Sequence, residues 1–506
     1  MDALASLRRR YGKHVELPSR THSILQKLFD EEGNPVPPFR KTVELTDVKL
    51  VWSTQDMIYV GLDPSPEGSH LLIPKEPEKF FKAKMAEIGV DDEELLATLT
   101  RLEEGLLKKV LNPSLSQENH VVSSLELPSD LLQAVLSHPN FEAQVNEWRE
   151  LGLNPDSPRS SHLPVDTAFF PELRGDIKKS VELKGTLIRG DSLLALRALI
   201  PQNKGKVKAI YIDPPFNKDR ERDFTYSVNY PNHMWLTMLE NRLEIAKDIL
   251  RDDGAIFVRC DHDGNMLVRL LMNTVFGEEN FRNEIDIKRN QSLPKTSLKK
   301  LTEETENLLV YSKGEGFKFK RMFVPREAAW VDLGTRPADS RGKPIRIDGK
   351  EFYPPKGRRW AYSEAKVREL YNKGLVREVK GKLKILLDKR AVGTNWTDIP
   401  GYSTNPKWGL KTENSEILLK RVIESSTEPG DTVMDFFLGS GTTTAVAHKM
   451  GRSWIGVELG VHFSTVIMRR MKLVIAGDSS GVSKEAKWRG GGGFTYFKVA
   501  LNDRRV

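Results

Sequence analysis

Two short stretches, more than two hundred residues apart, carry residue types that could do chemistry. The first is Asp213-Pro214-Pro215-Phe216, which follows the apolar run Val207 to Ile212. Two prolines make this turn rigid and remove two amide donors. The Asp213 carboxylate and the Pro214 carbonyl remain as acceptors, a pair suited to an NH2 group and unsuited to an oxyanion. Phe216 adds an apolar face on which a heterocycle can stack. A rigid turn that merely closes a strand is the alternative reading.

The second stretch is Asp435-Phe436-Phe437-Leu438-Gly439-Ser440-Gly441-Thr442, followed by Trp454-Ile455-Gly456-Val457-Glu458. Glycines at 439 and 441 let the backbone turn tightly and approach a ligand, and the helix that follows offers its first amides. Glu458 closes the next strand at a distance suited to gripping two ribose hydroxyls. A dinucleotide site would want a third glycine where Thr444 stands, and a phosphate P-loop would want Gly-Lys-Ser/Thr, which occurs nowhere in the chain. A tight strand-to-helix turn without a ligand is the alternative here.

These motifs need a frame. Gly185 to Asp191 reads as a buried strand, with Ser192 to Ile200 as a helix capped by Asp191 or Ser192. Strand Val207 to Ile212, helix Asn232 to Arg251, strand Ala255 to Arg259 and helix Asn265 to Val275 follow. The rhythm resumes with helix Ser415 to Ser425, strand Thr432 to Phe436, helix Thr443 to Met450 and strand Ser453 to Glu458. Such alternation predicts an α/β fold with a doubly wound, mostly parallel sheet. Residues 1–164 read as an acidic, mainly helical extension with helices over Glu93 to Val110 and Leu131 to Leu151 and an extended stretch over Val43 to Val51. Scaffolding, dimerisation or partner docking is its expected role.

Charge is unevenly placed. The chain of 506 residues carries a net +8. Residues 1–164 hold 18 Lys/Arg against 26 Asp/Glu, a net of −8, while residues 286–391 hold 27 against 14, a net of +13. A basic block interleaved with Phe317, Phe319, Phe323, Trp330, Phe352, Tyr353, Trp360 and Tyr362 suits phosphate neutralisation and base stacking. It reads as a domain inserted between the two motifs. No run of about 18 apolar residues exists to cross a membrane. The N-terminus lacks an apolar signal core, so a cytoplasmic location is expected. A single cysteine, Cys260, excludes an intrachain disulfide framework and a cysteine-rich zinc site.

The chain resembles the S-adenosylmethionine-dependent DNA amino-methyltransferases, and more narrowly the modification subunits of type III restriction–modification systems. The resemblance is carried by Val165 to Phe170, Ile188 to Leu193, Tyr211 to Asn217, Trp235 to Thr237, Asn241 to Leu243, Asp253 to Val258 and the glycine loop. Amine motif before cofactor motif, with a recognition insert between, matches the circularly permuted group called beta. It implies a Rossmann-like catalytic part over 165–285, a target-recognition insert over 286–391, a cofactor-binding part over 392–475 and a tail over 476–506.

By that resemblance, Asp213, Pro214, Pro215 and Phe216 are catalytic, and Asp rather than Ser at the first position favours adenine N6 over cytosine N4. Asp435, Phe437, Gly439, Ser440, Gly441, Thr442 and Glu458 are expected to bind S-adenosylmethionine. Asp191 matches a family acid near the base or cofactor pocket, with a helix N-cap as its alternative role. Trp396 belongs to a segment bordering the cofactor. The implied substrate is double-stranded DNA with the target base flipped out; the implied partners are a second copy of the chain and a separate helicase–nuclease subunit. Neither metal nor covalent intermediate is implied. Cytosine N4 transfer, or a catalytically silent DNA-binding subunit, are the alternatives, while cytosine C5 transfer is rejected because Cys260 ends a strand after Arg259. One departure stands out: the family commonly has Lys-Pro where this chain has Asn414-Ser415, which keeps the helix start and makes the cofactor contact there the first to test.

Overall fold

The computed structural model describes residues 28, 29, 35, 56–61, 70–116, 119–156, 162–215, 232–289, 303–410 and 412–500. Phe216 and the stretch Val43 to Val51 lie outside the described residues. The chain divides into two compact units, one formed by Met1–Phe319 with Thr394–Val506 and one by Lys320–Gly393.

The first unit is built on a twelve-stranded sheet. Its principal strands in chain order are β1 (His120–Ser124), β2 (Pro164–Asp166), β3 (Leu183–Arg189), β4 (Val207–Ile212), β5 (Leu250–Cys260), β6 (Phe281–Lys288), β7 (Thr305–Ser312), β8 (Asn395–Pro400), β9 (Thr432–Asp435), β10 (Ser453–Glu458) and β11 (Gly493–Ala500). Across the sheet the order is β8-β6-β7-β5-β4-β9-β10-β3-β11-β1-β2. From β5 to β11 every neighbouring pair is parallel, and β7 is the antiparallel strand set between β5 and β6. The alternating pattern therefore gives the α/β sheet it predicts.

Strands buried on both faces need continuous apolar sequence. Ala209 to Ile212 in β4 and Ala255 to Val258 in β5 supply it, all of them buried. Helices α1 (Ser192–Asn203), α2 (Asn232–Ile249), α3 (Asn265–Phe276), α4 (Glu416–Ser426), α5 (Thr442–Lys449) and α6 (Met468–Ile475) belong to the same unit. Within α2, Asn241 and Arg242 are buried: Asn241 exchanges hydrogen bonds with Tyr59 N and Met57 O, and Arg242 donates to Tyr59 O. They fasten the hairpin of Met57–Gly61 and His70–Pro74 to α2.

Three boundaries differ from the sequence reading. The separate unit starts at Lys320, not at 286, because β6 and β7 pair in the central sheet next to β5. Residues 1–164 are not a body apart, since β1 lies in that sheet and pairs with β11. The expected tail over 476–506 contains β11, which sits between β3 and β1 in the sheet interior. The single helix expected over Leu131 to Leu151 is two, Ser129–Leu136 and Phe141–Glu150, because Pro139 cannot continue the first.

The second unit keeps the basic surplus, with 20 Lys/Arg against 9 Asp/Glu over 320–393, a net of +11. A three-stranded antiparallel sheet of Phe323–Asp332, Val376–Val379 and Lys382–Ala391 packs with helix Glu364–Asn372 around Leu333, Ile345, Val367 and Leu383. Arg377 lies over the Trp330 ring at 3.9 Å and Arg341 over Tyr353 at 4.9 Å.

Candidate active site

β4 and β9 are adjacent and parallel, with Val433 opposite Ala209 and Met434 opposite Ile210. That register brings Asp213, just past the end of β4, beside Asp435, the last residue of β9. The two expected motifs meet at one carboxyl edge. Trp235 of α2 donates its indole N–H to the Pro215 carbonyl at 2.8 Å, which anchors the proline turn to the helix.

Behind Asp213 lies a buried polar group. Asn414 Nδ2 donates to Asp213 Oδ2 at 2.8 Å. Asn414 Oδ1 accepts from Tyr211 Oη at 2.7 Å and from Arg259 Nη1 at 2.5 Å. Arg259, wholly buried, gives Nε and Nη2 to Glu306 Oε2 and Nη1 to the Gly401 carbonyl, and its guanidinium lies over the Tyr402 ring at 3.9 Å. Tyr402 Oη donates to the Glu306 carboxylate at 3.0 Å. Burial pushes the Asp213 carboxyl up to about 6, against the pull of Arg259 and Asn414, with Glu306 and Asp261 adding to the rise.

The glycine loop is held from several sides. Asp435 Oδ1 accepts from Phe437 N at 3.0 Å and Oδ2 from Thr443 Oγ1 at 2.6 Å. Burial raises the Asp435 carboxyl to about 7, against those two donors and with help from Asp213 and Glu458. Gly439 and Gly441 have φ of +55° and +83°, the left-handed region that favours glycine. Glu458 Oε2 accepts from Gly439 N at 2.8 Å and Oε1 from Gly460 N at 2.7 Å. Burial opposes the Glu458 charge, but His462 and these amides outweigh it and hold the carboxyl below its usual range.

Ser440 and Thr442 share a hydroxyl contact at 3.0 Å, and both accept from Arg470 Nη1 of α6, Thr442 at 2.9 Å. A cofactor fits here in the sense that a Cβ built on Gly439 would meet no atom within 4 Å, so the loop backbone faces open space. Glu458 already restrains the loop, so ribose hydroxyls would use the remaining lone pairs of its oxygens.

Of two further expected site residues, Asp191 follows the end of β3 at the same sheet edge, where Arg189 is opposite Glu458 and Gly190 N donates to the Glu458 carbonyl at 3.0 Å, and Trp396 lies farther along the sheet. Asp191 caps α1: its Oδ1 accepts from Leu193 N at 2.9 Å and Leu194 N at 3.3 Å. Its Oδ2 accepts from buried Arg242 at 2.6 Å. Trp396 lies buried on β8, with β6, β7, β5 and β4 between it and the glycine-loop strand β9. It packs beneath Arg421, which is held bidentately by Asp398. Cys260 is buried with its thiol directed at the Asn307 carbonyl, and burial pushes that thiol well up, away from the thiolate a C5 nucleophile needs.

Sequence reading missed Arg259, Glu306, Tyr402 and Arg470, and it took Asn414 only for a departure. A charged residue at the end of apolar strand sequence, Arg259 after Ala255 to Val258, is the signal that could have found the first, since a buried charge needs a partner, whereas Glu306 stands in the polar run Glu303 to Asn307 and carries no such signal.

A family model described as DNA methylase, of the N6/N4 type, matches residues 207–469, more than half of the chain. The chain belongs to the N6/N4 DNA methylase family. The methylase is 32% identical over 424 residues to the probable type III restriction-modification enzyme HindVI Mod subunit of Haemophilus influenzae, which covers 66% of this chain and 57% of that relative. It is 28% identical over 341 residues to the type II methyltransferase M.EcaI of Enterobacter cloacae, covering 62% and 74%. The methylase thus spans little more than half the length of the Haemophilus influenzae relative. Among solved structures, the M1.HpyAVI–SAM complex is similar at a TM-score of 0.33 and 16% identity over 57% of this chain and 98% of that chain. PvuII DNA methyltransferase (cytosine-N4-specific) is similar at 0.36 and 16% over 61% and 91%. Membership in the family rests on the sequence match.

Proposed function

We propose that this methylase transfers a methyl group from S-adenosylmethionine to adenine N6 in duplex DNA at a specific site, after the base has rotated out of the stack. The observation that carries the reading is the meeting of Asp213 with Asp435 and the glycine loop on the adjacent strands β4 and β9. S-adenosylmethionine would supply an electrophilic methyl on a sulfonium, held by the glycine loop, Asp435, Phe437 and Glu458.

The adenine N6 lone pair is delocalised into the ring and is a weak nucleophile. Hydrogen bonds from its two protons to the Asp213 carboxylate and the Pro214 carbonyl would localise that pair and aim it. Phe216 would stack the extruded base. Catalysis is then chiefly positioning and electrostatics: as the N–C bond forms, the S–C bond would break with its electron pair returning to sulfur as a neutral thioether, and one N6 proton would pass to solvent.

The basic second unit, with Arg377 on Trp330 and Arg341 on Tyr353, is proposed to contact the DNA. The naming of the Haemophilus influenzae relative as the Mod subunit of a probable type III restriction-modification enzyme supports a modification role; a separate helicase–nuclease subunit, a second copy of this chain and a cytoplasmic location are proposed with it. Among the described residues no helix is long and apolar enough to cross a membrane.

The test is expression in a host free of its own adenine and cytosine methylation, followed by nucleoside analysis and modified-base sequencing. N6-methyladenine at one recurrent sequence is expected. N4-methylcytosine would transfer the same mechanism to cytosine, and unmodified DNA together with no labelled-methyl transfer in vitro would leave only a DNA-binding subunit.

A further inference from the structure

Asn414, the residue standing where the family commonly has lysine, joins Asp213 of the proline turn to Thr442 of the glycine loop. Its side chain touches Asp213, Tyr211 and Arg259, and its backbone carbonyl accepts from Thr442 Oγ1 at 3.2 Å. The amide orientation is fixed chemically. A guanidinium only donates, so the Asn414 oxygen must face Arg259 and the NH2 must face Asp213. Ser415 caps α4 by accepting from Ile417 N at 3.3 Å, which pins the backbone that carries Asn414.

Arg259 is not the direct holder of Asp213. Its Nε and Nη2 are engaged by Glu306, and its nearest approach to Asp213 is 3.8 Å. The carboxylate is therefore gripped by a neutral donor with a cation one step behind.

We propose that Asn414 is a positioning residue: it holds Asp213 by one carboxylate oxygen, presents the other to the N6 amine, and keeps that oxygen in register with the glycine loop through Thr442. The proposal rests on the reading of the site as an amino-methyltransferase centre. The groups facing Asp213 are Arg259 and Asp261 at the end of β5, Glu306 of β7, Tyr211 of β4, Tyr402 beyond β8, and Asp435 of β9. Of these only Arg259 is a cation, and the Asn414 donor adds to its pull in keeping the carboxylate ionised.

Two variants of opposite sign test this. Asn414→Asp keeps an acceptor for Arg259 and Tyr211 but replaces the donor by a second carboxylate; Asn414→Lys puts a cation in direct contact. At neutral pH, N414D is expected to lose roughly ten- to a hundredfold in kcat, with its acid limb moved up by about one unit. N414K is expected to move that limb down. The KM for S-adenosylmethionine should stay within about threefold of the parent in N414D, because the loop contact is made by the backbone carbonyl. A lowered melting temperature with an unmoved limb would mean a merely structural role and overturn the proposal. Infrared difference spectra against Asp213→Asn isolate the Asp213 carboxylate band without any turnover. If the parent chain transfers no methyl to any DNA, the proposed function falls. The midpoint of that band still decides whether Asn414 governs Asp213, and a midpoint unchanged in both variants overturns it.

Discussion

Arg470 Nη1 donates to Thr442 Oγ1 at 2.9 Å while its Nη2 donates to Glu416 Oε1 at the same distance, so one buried guanidinium joins the glycine loop to the start of α4. The same Nη1 also reaches the Ser440 carbonyl at 3.3 Å and Glu413 Oε1 at 3.5 Å. Replacing Arg470 by Met keeps volume but strands Glu413 and loosens the loop. Calorimetric affinity for S-adenosylmethionine is expected to fall at least about tenfold, with stability lowered by about 3–5 kcal/mol, the usual cost of breaking a buried pair. Unchanged affinity would assign Arg470 to the scaffold alone.

Asp213 titrates near 6 and Asp435 near 7, both raised by burial. The acceptor role of Asp213 needs the ionised form, so transfer should rise with pH between about 5 and 7 and level off above. The stability effect runs the other way. Between the ordinary carboxyl value and about 6 the folded chain binds the extra proton, so the cost of burying the charge appears as pH rises and is complete above 6. Asp213→Asn should therefore match the parent in melting at pH 4 and exceed it at pH 8 by about 2–3 kcal/mol, while transferring no methyl. Retained transfer in Asp213→Asn or Asp213→Ala would remove Asp213 from the centre.

Asp191 gives a direct contest between two roles. If its cap on α1 and its bond to Arg242 are its whole function, Asp191→Asn should cost about 3 kcal/mol in denaturant melts and leave affinity for S-adenosylmethionine within about threefold. A large loss of affinity in a variant that still melts cooperatively would assign Asp191 to the cofactor pocket.

For the second unit, contact with phosphates predicts a salt-sensitive affinity. Arg341→Ala and Arg377→Ala should each weaken binding to duplex DNA and reduce the slope of log affinity against log salt by about one if the guanidinium meets a phosphate. A parent slope near zero would remove the unit from the DNA interface.

The parts of this chain that were legible in sequence are those whose cause is local. Val207 to Ile212 ends in a proline turn, and Thr432 to Asp435 ends in a glycine loop, so both announced themselves as strand ends. The partners of these motifs were not legible because burial is a tertiary property. Nothing around Asn414 tells that its amide reaches back to Asp213, 201 residues earlier. Nothing in α6 marks Arg470 as the neighbour of Thr442. Asp191 was legible as a cap, since Asp before an apolar helix start has that preference, and the structure adds the Arg242 contact. Boundaries failed where charge was taken for domain identity: 286–319 is basic in part, yet β6 and β7 are sheet strands within it.

The place of β11 in the sheet has a consequence for how the protein is made. β11 separates β3 from β1, so the early strands β1 and β2 can join the rest of the sheet only after residues 493–500 have emerged from the ribosome. Through synthesis from residue 124 to residue 493 the free edge of β1 would have no lasting partner, and an open edge is a template for pairing with another nascent chain. Late closure of this kind is expected to make yield depend on temperature and chaperone supply. A chain interrupted before Gly493 should collect in inclusion bodies even though its active-site residues have all been synthesised.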